Sequence, residues 1–405
     1  MATGTAALDT ILEGVVRGPA GVPGVVALVT DRDGLRHAGV AGVRTLGAPD
    51  PMTLDTVLSA FSLTKAITGA ALMQLVEAGR VDLDDPAGTY VPEIDAVRVL
   101  DGFDADGTPR LRPPRRPITV RHLLLHVGGF GYPFFNHDLR RYREATRRNT
   151  TPDVAPDPHA HIRGPLLFDP GDRWEYGTGI DWAGRIVEVV RGQRLGDAFR
   201  DHLLGPLGMV DTRYAPTRSM HARLATMHRR LPSGEVVAER GWSDRAPEVD
   251  VPPEPEVAHG GGGLFTTALD YARFLRMILA GGNAPGGRVL RPETVDLMAA
   301  NGLGVLRSGG WHAADPSLTN AGEFLPGIAK GWGLTFQIAL EDVPGRRRAG
   351  SLAWAGLGNL YFWIDRASGI AGFWGTQLLP FLDAASHGGF EAYEASAYGS
   401  MVASP

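Results

Sequence analysis

Cysteine is absent from all 405 residues. That excludes disulfides, thiolate nucleophiles and cysteine-held zinc or iron–sulfur centres together. Long apolar runs are missing too: no stretch approaches the ~18–20 residues that span a bilayer. The opening Met1-Ala2-Thr3-Gly4-Thr5-Ala6-Ala7 lacks a basic segment followed by an apolar run, so no secretory signal is read there. If the chain is complete, the expected location is cytoplasmic, with no membrane partner. A basic excess is also lacking. The 40 Lys and Arg against 45 Asp and Glu leave a net charge of −5, the wrong sign for a nucleic-acid partner. What is present is an ordinary globular composition, 43% hydrophobic and 21% charged, which excludes general disorder. The 54 Gly and 30 Pro promise many turns. The length fits two to three domains, or one large core with interleaved lobes, and no internal repeat is found.

Secondary-structure signals separate by region. After a helical lead over residues 6–16, two β-branched runs (22–30 and 35–42) flank the Asp33-Gly34 turn and read as an antiparallel hairpin. A second pair, 359–365 and 369–376, flanks Arg366-Ala367-Ser368; a further strand is expected at 350–354 and a last helix at 390–401. Between the two ends, residues 62–78, 120–126, 180–190, 195–204 and 269–279 carry helical spacing of apolar positions, separated by turn-rich stretches at 101–117, 149–158 and 231–255. Strands at both ends with helices between predict a sheet lobe built from both termini (1–80 and 256–405). A mainly helical lobe (81–255) is inserted, and the cleft falls between the two.

Chemistry concentrates first in Ser59-Ala60-Phe61-Ser62-Leu63-Thr64-Lys65. Ser62 and Lys65 are three residues apart at a helix start, so their side chains share a face. A serine hydroxyl is a weak nucleophile that needs a neighbour to take its proton, and a neutral lysine one turn away can do so. Desolvation and nearby cations are what lower a lysine pKa enough. A helix N-terminus adds free N–H groups where an oxyanion would develop. Taken alone, the same spacing also fits an N-cap serine beside a solvated lysine.

The pattern continues downstream with Phe168-Asp169-Pro170-Gly171-Asp172-Arg173-Trp174-Glu175-Tyr176-Gly177-Thr178, then His259 with Gly260–Gly263, then Trp354-Ala355-Gly356-Leu357. In that order these segments resemble the class C β-lactamase-like serine hydrolases and penicillin-binding proteins, most nearly the family VIII carboxylesterases and the lovastatin-type acyltransferases. The resemblance runs from the first hairpin to the last helix. It implies an α/β (α+β) two-lobe fold of the serine β-lactamase/transpeptidase type, an antiparallel sheet flanked by helices with an inserted helical lobe. It further implies Ser62 as acylated nucleophile, Lys65 as its proton acceptor, and Tyr176 as the phenol that shares the proton. Thr178 stands where the family has an Asn that helps hold a β-lactam amide, and the resemblance implies that Thr178 borders the substrate together with Tyr132, Trp354, Ala355 and Gly356. Trp354-Ala355-Gly356 matches the Trp-Gly-Gly of the esterases in place of a Lys-Thr-Gly, so the Trp is expected to pack an apolar acyl or alcohol group. The backbone N–H groups of Ser62 and Leu357 would form the oxyanion hole. His122-Leu123-Leu124-Leu125-His126-Val127-Gly128-Gly129 and the following Tyr132 match another family segment and bring Tyr132 to the cleft wall.

The remaining motifs read as structural. His122 and His126 have the i, i+4 spacing of a zinc site but no Glu after the first His and no evident third ligand, and His159 and His161 sit in a loop, so no metal and no cofactor are expected. Gly260–Gly263 lacks the Lys-Ser/Thr ending of a phosphate loop and reads as a tight turn against the cleft. The arginine-rich stretches 140–148 and 346–348 read as solvated surface. Phe134, Phe135, Trp242 and Trp311 fall in irregular regions beside the cleft. The expected partner is a small-molecule ester or acyl donor, and the expected function is carboxylester hydrolysis. Acyl transfer to an alcohol or amine is the alternative, followed by β-lactam or D-alanyl-peptide hydrolysis and by a non-catalytic scaffold. The oligomeric state is left open.

Overall fold

The computed structural model describes residues 2–18, 20–147, 159, 162–239 and 248–401. Strand β1 (Gly24–Thr30) is apolar along its whole length and buried at every position, the pattern of a central strand covered on both faces. It hairpins into β2 (Leu35–Gly42). The turn is closed by Asp31, whose carboxylate accepts the N–H groups of Asp33 and Gly34 at 2.8 and 2.9 Å. The chain then leaves the sheet and returns near its end as β3 (Lys330–Trp332), β4 (Gln337–Ala339), β5 (Leu352–Gly356), β6 (Leu360–Asp365) and β7 (Ile370–Gly375). Because β7 pairs with β1, both ends of the chain build one antiparallel seven-stranded sheet, in the order β3-β4-β5-β6-β7-β1-β2.

Helices cover both faces. The five longest used below are α1 (Ala2–Val15), α2 (Thr64–Glu77), α3 (Gly179–Arg191), α4 (Ala268–Leu279) and α5 (Ala384–Met401). Side chains alternate across a strand, so β6 and β7 serve both layers. Tyr361 stacks on Phe390 of α5 with centroids 4.7 Å apart, and Trp374 donates to the Ser386 hydroxyl at 3.1 Å. Phe362 and Phe373 face the other way and pack on Tyr271 of α4 at 5.5 and 5.6 Å. Helix α2 is buried on nearly every side and packs against α3. A helix apolar all round belongs inside a large core, and α2 is the element on which the candidate site stands.

The observed fold is of the α/β class that the resemblance implies, with strands at both ends of the chain and helices between. Several local expectations need correction. The turn-rich stretch 101–117 contains a hairpin of Val99–Phe103 and Pro109–Arg112. Residues 195–204 form a helix over Leu195–Phe199 followed by a wider turn, Arg200–Leu204. The last helix begins at Ala384, six residues before 390. Helix Pro292–Ala299 and strands β3 and β4 are additions; three-residue strands are too short to show a period. Arginines 346–348 are not simply solvated: Arg347 is buried and makes a bidentate pair with Glu394 of α5 at 2.6 and 2.7 Å. Arg140 does sit at the surface, on a helix over His137–Arg147. The turn stretch 149–158, His161 and Trp242 lie outside the described residues. Among the described residues no helix is long and apolar enough to cross a membrane.

Candidate active site

The chain enters the site along a short strand, Val57–Ser59, paired antiparallel with Phe265–Thr267. It then turns sharply. Phe61 adopts φ +48°, a left-handed conformation that costs a bulky residue energy and that persists only where its surroundings enforce it. Here the enforcement comes from both sides: the Ala60 N–H donates to Leu264 O at 2.8 Å, and the Tyr271 hydroxyl donates to Leu63 O at 3.0 Å. Residues Phe61–Leu63 form a 3₁₀ turn that runs into α2. Ser62 thus sits in the turn and Lys65 in the first turn of α2, three residues apart and on one face.

Lys65 is 1% exposed. Its Nζ donates to Ser62 Oγ at 3.1 Å and to the Gly261 carbonyl at 2.6 Å. It also lies over the rings of Tyr176 and Tyr132, at 4.9 and 5.2 Å from their centroids. A buried amine needs such compensation, and aromatic faces supply part of it. Tyr176 is buried, and its phenol oxygen accepts the indole N–H of Trp354 at 3.1 Å. Ser62, Lys65, Tyr176, Tyr132 and Trp354 are therefore gathered at one place.

Beneath Tyr176 lies His126, 4.8 Å away between ring centroids. Its Nδ1 accepts the N–H of Gly177 at 3.3 Å, so the proton of the neutral ring belongs on Nε2. Burial, and then the charge of Lys65, hold its pKa well below the ordinary histidine value. The ring thus fixes the backbone next to Tyr176 as a neutral group. His122 instead closes a capping box with Thr119 at the start of the helix Val120–Leu124. Each histidine thus has a backbone partner through Nδ1. Among the described residues no cluster of three His, Asp or Glu side chains is placed to hold a metal ion.

Strand β5 brings the third segment alongside. A Cβ on Gly356 would lie 2.6 Å from Ala60 O, so only glycine lets this strand end approach the turn that carries Ser62. Trp354, Ala355, Gly356 and Leu357 all border the same cavity as Ser62, a space of about 400 Å³. That size suits a drug-sized ligand. Phe134, Phe135 and Trp311 form part of its wall, with Phe61, Phe265 and Phe381. Burial, followed by the charge of Asp181 and by Tyr176, pushes the Tyr132 phenol well above its usual range, which keeps it protonated.

Thr178 departs from expectation. It is buried at the start of α3 and is not among the residues that border the cavity. Cavity residues to which the sequence assigned no role include Asp181, in the first turn of α3, His259, Phe265 and Phe381. An acidic residue in a helix's first turn is ordinary on electrostatic grounds, so nothing in its spacing marked Asp181. Only the fold turns it inward.

The sequence model of the β-lactamase family matches residues 12–391. Among curated relatives, a lovastatin esterase of Penicillium rubens is 35% identical over 363 residues, covering 87% of this chain and 88% of its own. A monacolin J acid methylbutanoyltransferase of Aspergillus terreus is 32% identical, covering 89% and 88%. Among solved structures, unliganded simvastatin synthase from Aspergillus terreus superposes with a TM-score of 0.82 at 28% identity, covering 99% of each chain. EstCE1, described as a hydrolase with promiscuous acyltransferase activity, shares the fold at a TM-score of 0.72 and 20% identity. A family match across nearly the whole chain, on a fold that gathers these side chains in one cleft, makes this protein a member of the β-lactamase family and an enzyme of its hydrolase and acyltransferase branch.

Proposed function

We propose that the protein is a carboxylesterase that cleaves small hydrophobic esters through an acyl-enzyme on Ser62. The observation that carries this reading is the 3.1 Å contact between Lys65 Nζ and Ser62 Oγ at the edge of an aromatic cavity, with the Tyr176 ring over the same amine. An amine in its neutral form takes the hydroxyl proton as Oγ attacks the ester carbonyl carbon. The N–H groups of Ser62 and Leu357 hold the oxyanion, each such donor being worth on the order of 10²–10³ in rate. Tyr176 passes its proton to the departing alkoxide and is restored from Lys65. Water then gives a proton back along the same groups and attacks the acyl carbon; the C–O bond to Ser62 breaks and its hydroxyl is restored. The sum is ester plus water giving acid plus alcohol. Trp354 donates to the Tyr176 oxygen throughout, and that bond strengthens as the oxygen gives up its proton.

Acyl transfer to an alcohol uses the same steps with the acceptor in place of water. The apolar wall of Phe134, Phe135 and Trp311 supports it, because such a surface favours a hydrophobic acceptor over water. The names of the relatives, an esterase and a methylbutanoyltransferase, fit both outcomes. β-Lactam and D-alanyl-peptide hydrolysis rank lower, since Thr178 stands in place of the amide-holding Asn and the first position of the β5 triplet is Trp354, not a cation. The two-lobe division (1–80 with 256–405, and 81–255), a cytoplasmic location and a small-molecule partner without nucleic acid or membrane belong to the same reading. The test is hydrolysis of p-nitrophenyl butyrate beside nitrocefin. The ester is expected to turn over faster, and Ser62→Ala is expected to abolish both that turnover and labelling by a fluorophosphonate. Full turnover by Ser62→Ala removes Ser62 from the mechanism.

A further inference from the structure

The glycine-rich turn after His259 has no role in the steps above, yet it supplies the shorter of the two hydrogen bonds to Lys65. Gly261 O accepts from Nζ at 2.6 Å, against 3.1 Å for Ser62 Oγ. Whatever holds Gly261 therefore sets how far the amine leans toward the nucleophile. The turn is wedged between two helices. Gly260 O accepts the Thr68 hydroxyl of α2 at 2.6 Å, and a Cβ on Gly260 would lie 2.4 Å from Ile180 O at the start of α3. From α3, the Asp181 carboxylate reaches across and its Oδ1 accepts the Gly261 N–H at 2.9 Å. The fit leaves no slack: a Cβ on Gly261 would lie 2.7 Å from Asp181 Oδ2 and 3.1 Å from Tyr132 Oη. Asp181 is 6% exposed, and a carboxylate is not buried there without structural return.

We infer that Asp181 is a positioning residue: by gripping the Gly261 N–H it holds the Gly261 carbonyl where it steers the Lys65 amine onto Ser62. The inference rests on the proposed acyl-enzyme reading. In this scheme Asp181 acts through one peptide unit, by its hydrogen bond to the Gly261 N–H. The consequence follows from the steepness of proton transfer with distance, since misplacing a reacting group by about 1 Å costs ~10²-fold. Asparagine keeps an amide oxygen that accepts the same N–H, while alanine removes the acceptor altogether.

The test is the steady-state kinetics of p-nitrophenyl butyrate hydrolysis by Asp181→Ala, Asp181→Asn, Gly261→Ala and the double variant Asp181→Ala/Gly261→Ala, with Ser62→Ala in parallel. Asp181→Ala is expected to lower kcat by ~10–100-fold with KM within about twofold. Asp181→Asn is expected to recover most of kcat, which a need for negative charge would not allow. Gly261→Ala is expected to lower kcat by a similar factor, and the double variant to be no worse than either single one, because removing the carboxylate makes room for the new methyl. Full kcat in Asp181→Ala overturns the inference, as does an Asp181→Asn as slow as Asp181→Ala. Thermal unfolding of each variant separates these results from misfolding, and the recovery in Asp181→Asn cannot arise from a damaged fold. If Ser62→Ala itself keeps full turnover, the acyl-enzyme reading has failed; if Ser62→Ala is dead while Asp181→Ala is not, only the positioning role has.

Discussion

Trp354 shows how one side chain serves as wall and donor at once. Its indole packs edge-on against Trp332 at 4.5 Å and lies 4.7 Å from the Tyr176 ring, while its N–H reaches the Tyr176 oxygen. The sequence offered only the first role, because an indole in place of a cation reads as apolar surface. Trp354→Phe keeps the ring and deletes the donor. A hydrogen bond to a group that gains charge is worth about 1.5 kcal/mol or more, so kcat for p-nitrophenyl butyrate should fall ~10-fold with KM little changed. An unchanged kcat with a raised KM would assign Trp354 to packing alone. Ser62 and Lys65 were legible because three-residue spacing on one helix is a local property. Tyr176 was legible only through its neighbours in the motif. Asp181 was not legible at all, since its approach to Gly261 spans 80 residues of sequence.

At the scale of elements, α5 is held by charge as well as by apolar packing. The Arg347 guanidinium and the Glu394 carboxylate are both buried and paired through two hydrogen bonds, and Arg346 adds a contact to Glu394 at 3.5 Å. Breaking such a pair from one side strands a buried charge and costs about 3–5 kcal/mol. Glu394→Ala is therefore expected to lose that much stability in denaturant unfolding, and Arg347→Met/Glu394→Leu to lose less than Glu394→Ala. Equal stability of Glu394→Ala and the parent would contradict the burial of the pair. A run of three arginines reads as solvated because local sequence cannot show a partner 47 residues away. The early start of α5 has a similar cause. Gly388 and Gly389 weaken its helical signal, but Asp383 Oδ1 accepts the N–H groups of Ala385 and Ser386 and caps the helix.

On the scale of the whole molecule, one sheet assembled from both chain ends supports a cleft whose parts come from distant segments. Ser62 and Lys65 arrive with α2, Tyr176 from the segment before α3, Gly261 from the turn before α4, and Trp354 from β5. Apolar runs on either side of a turn in 22–42 and 359–376 made the sheet's centre readable, and helical periodicity made α2, α3 and α4 readable. The three-residue strands β3 and β4 gave no such signal, and their pairing is a tertiary fact. The cavity's aromatic wall also comes from irregular chain, where no period marks an inward side chain.

Intact-protein mass spectrometry of enzyme quenched during turnover of p-nitrophenyl butyrate, followed by peptide mapping, bears most directly on the central claim that these segments converge to make Ser62 an acyl carrier. A single butyryl increment is expected on the peptide holding Ser62, absent from Ser62→Ala and discharged faster when a hydrophobic alcohol is added. An increment on any other residue, or one that persists in Ser62→Ala, would contradict that claim.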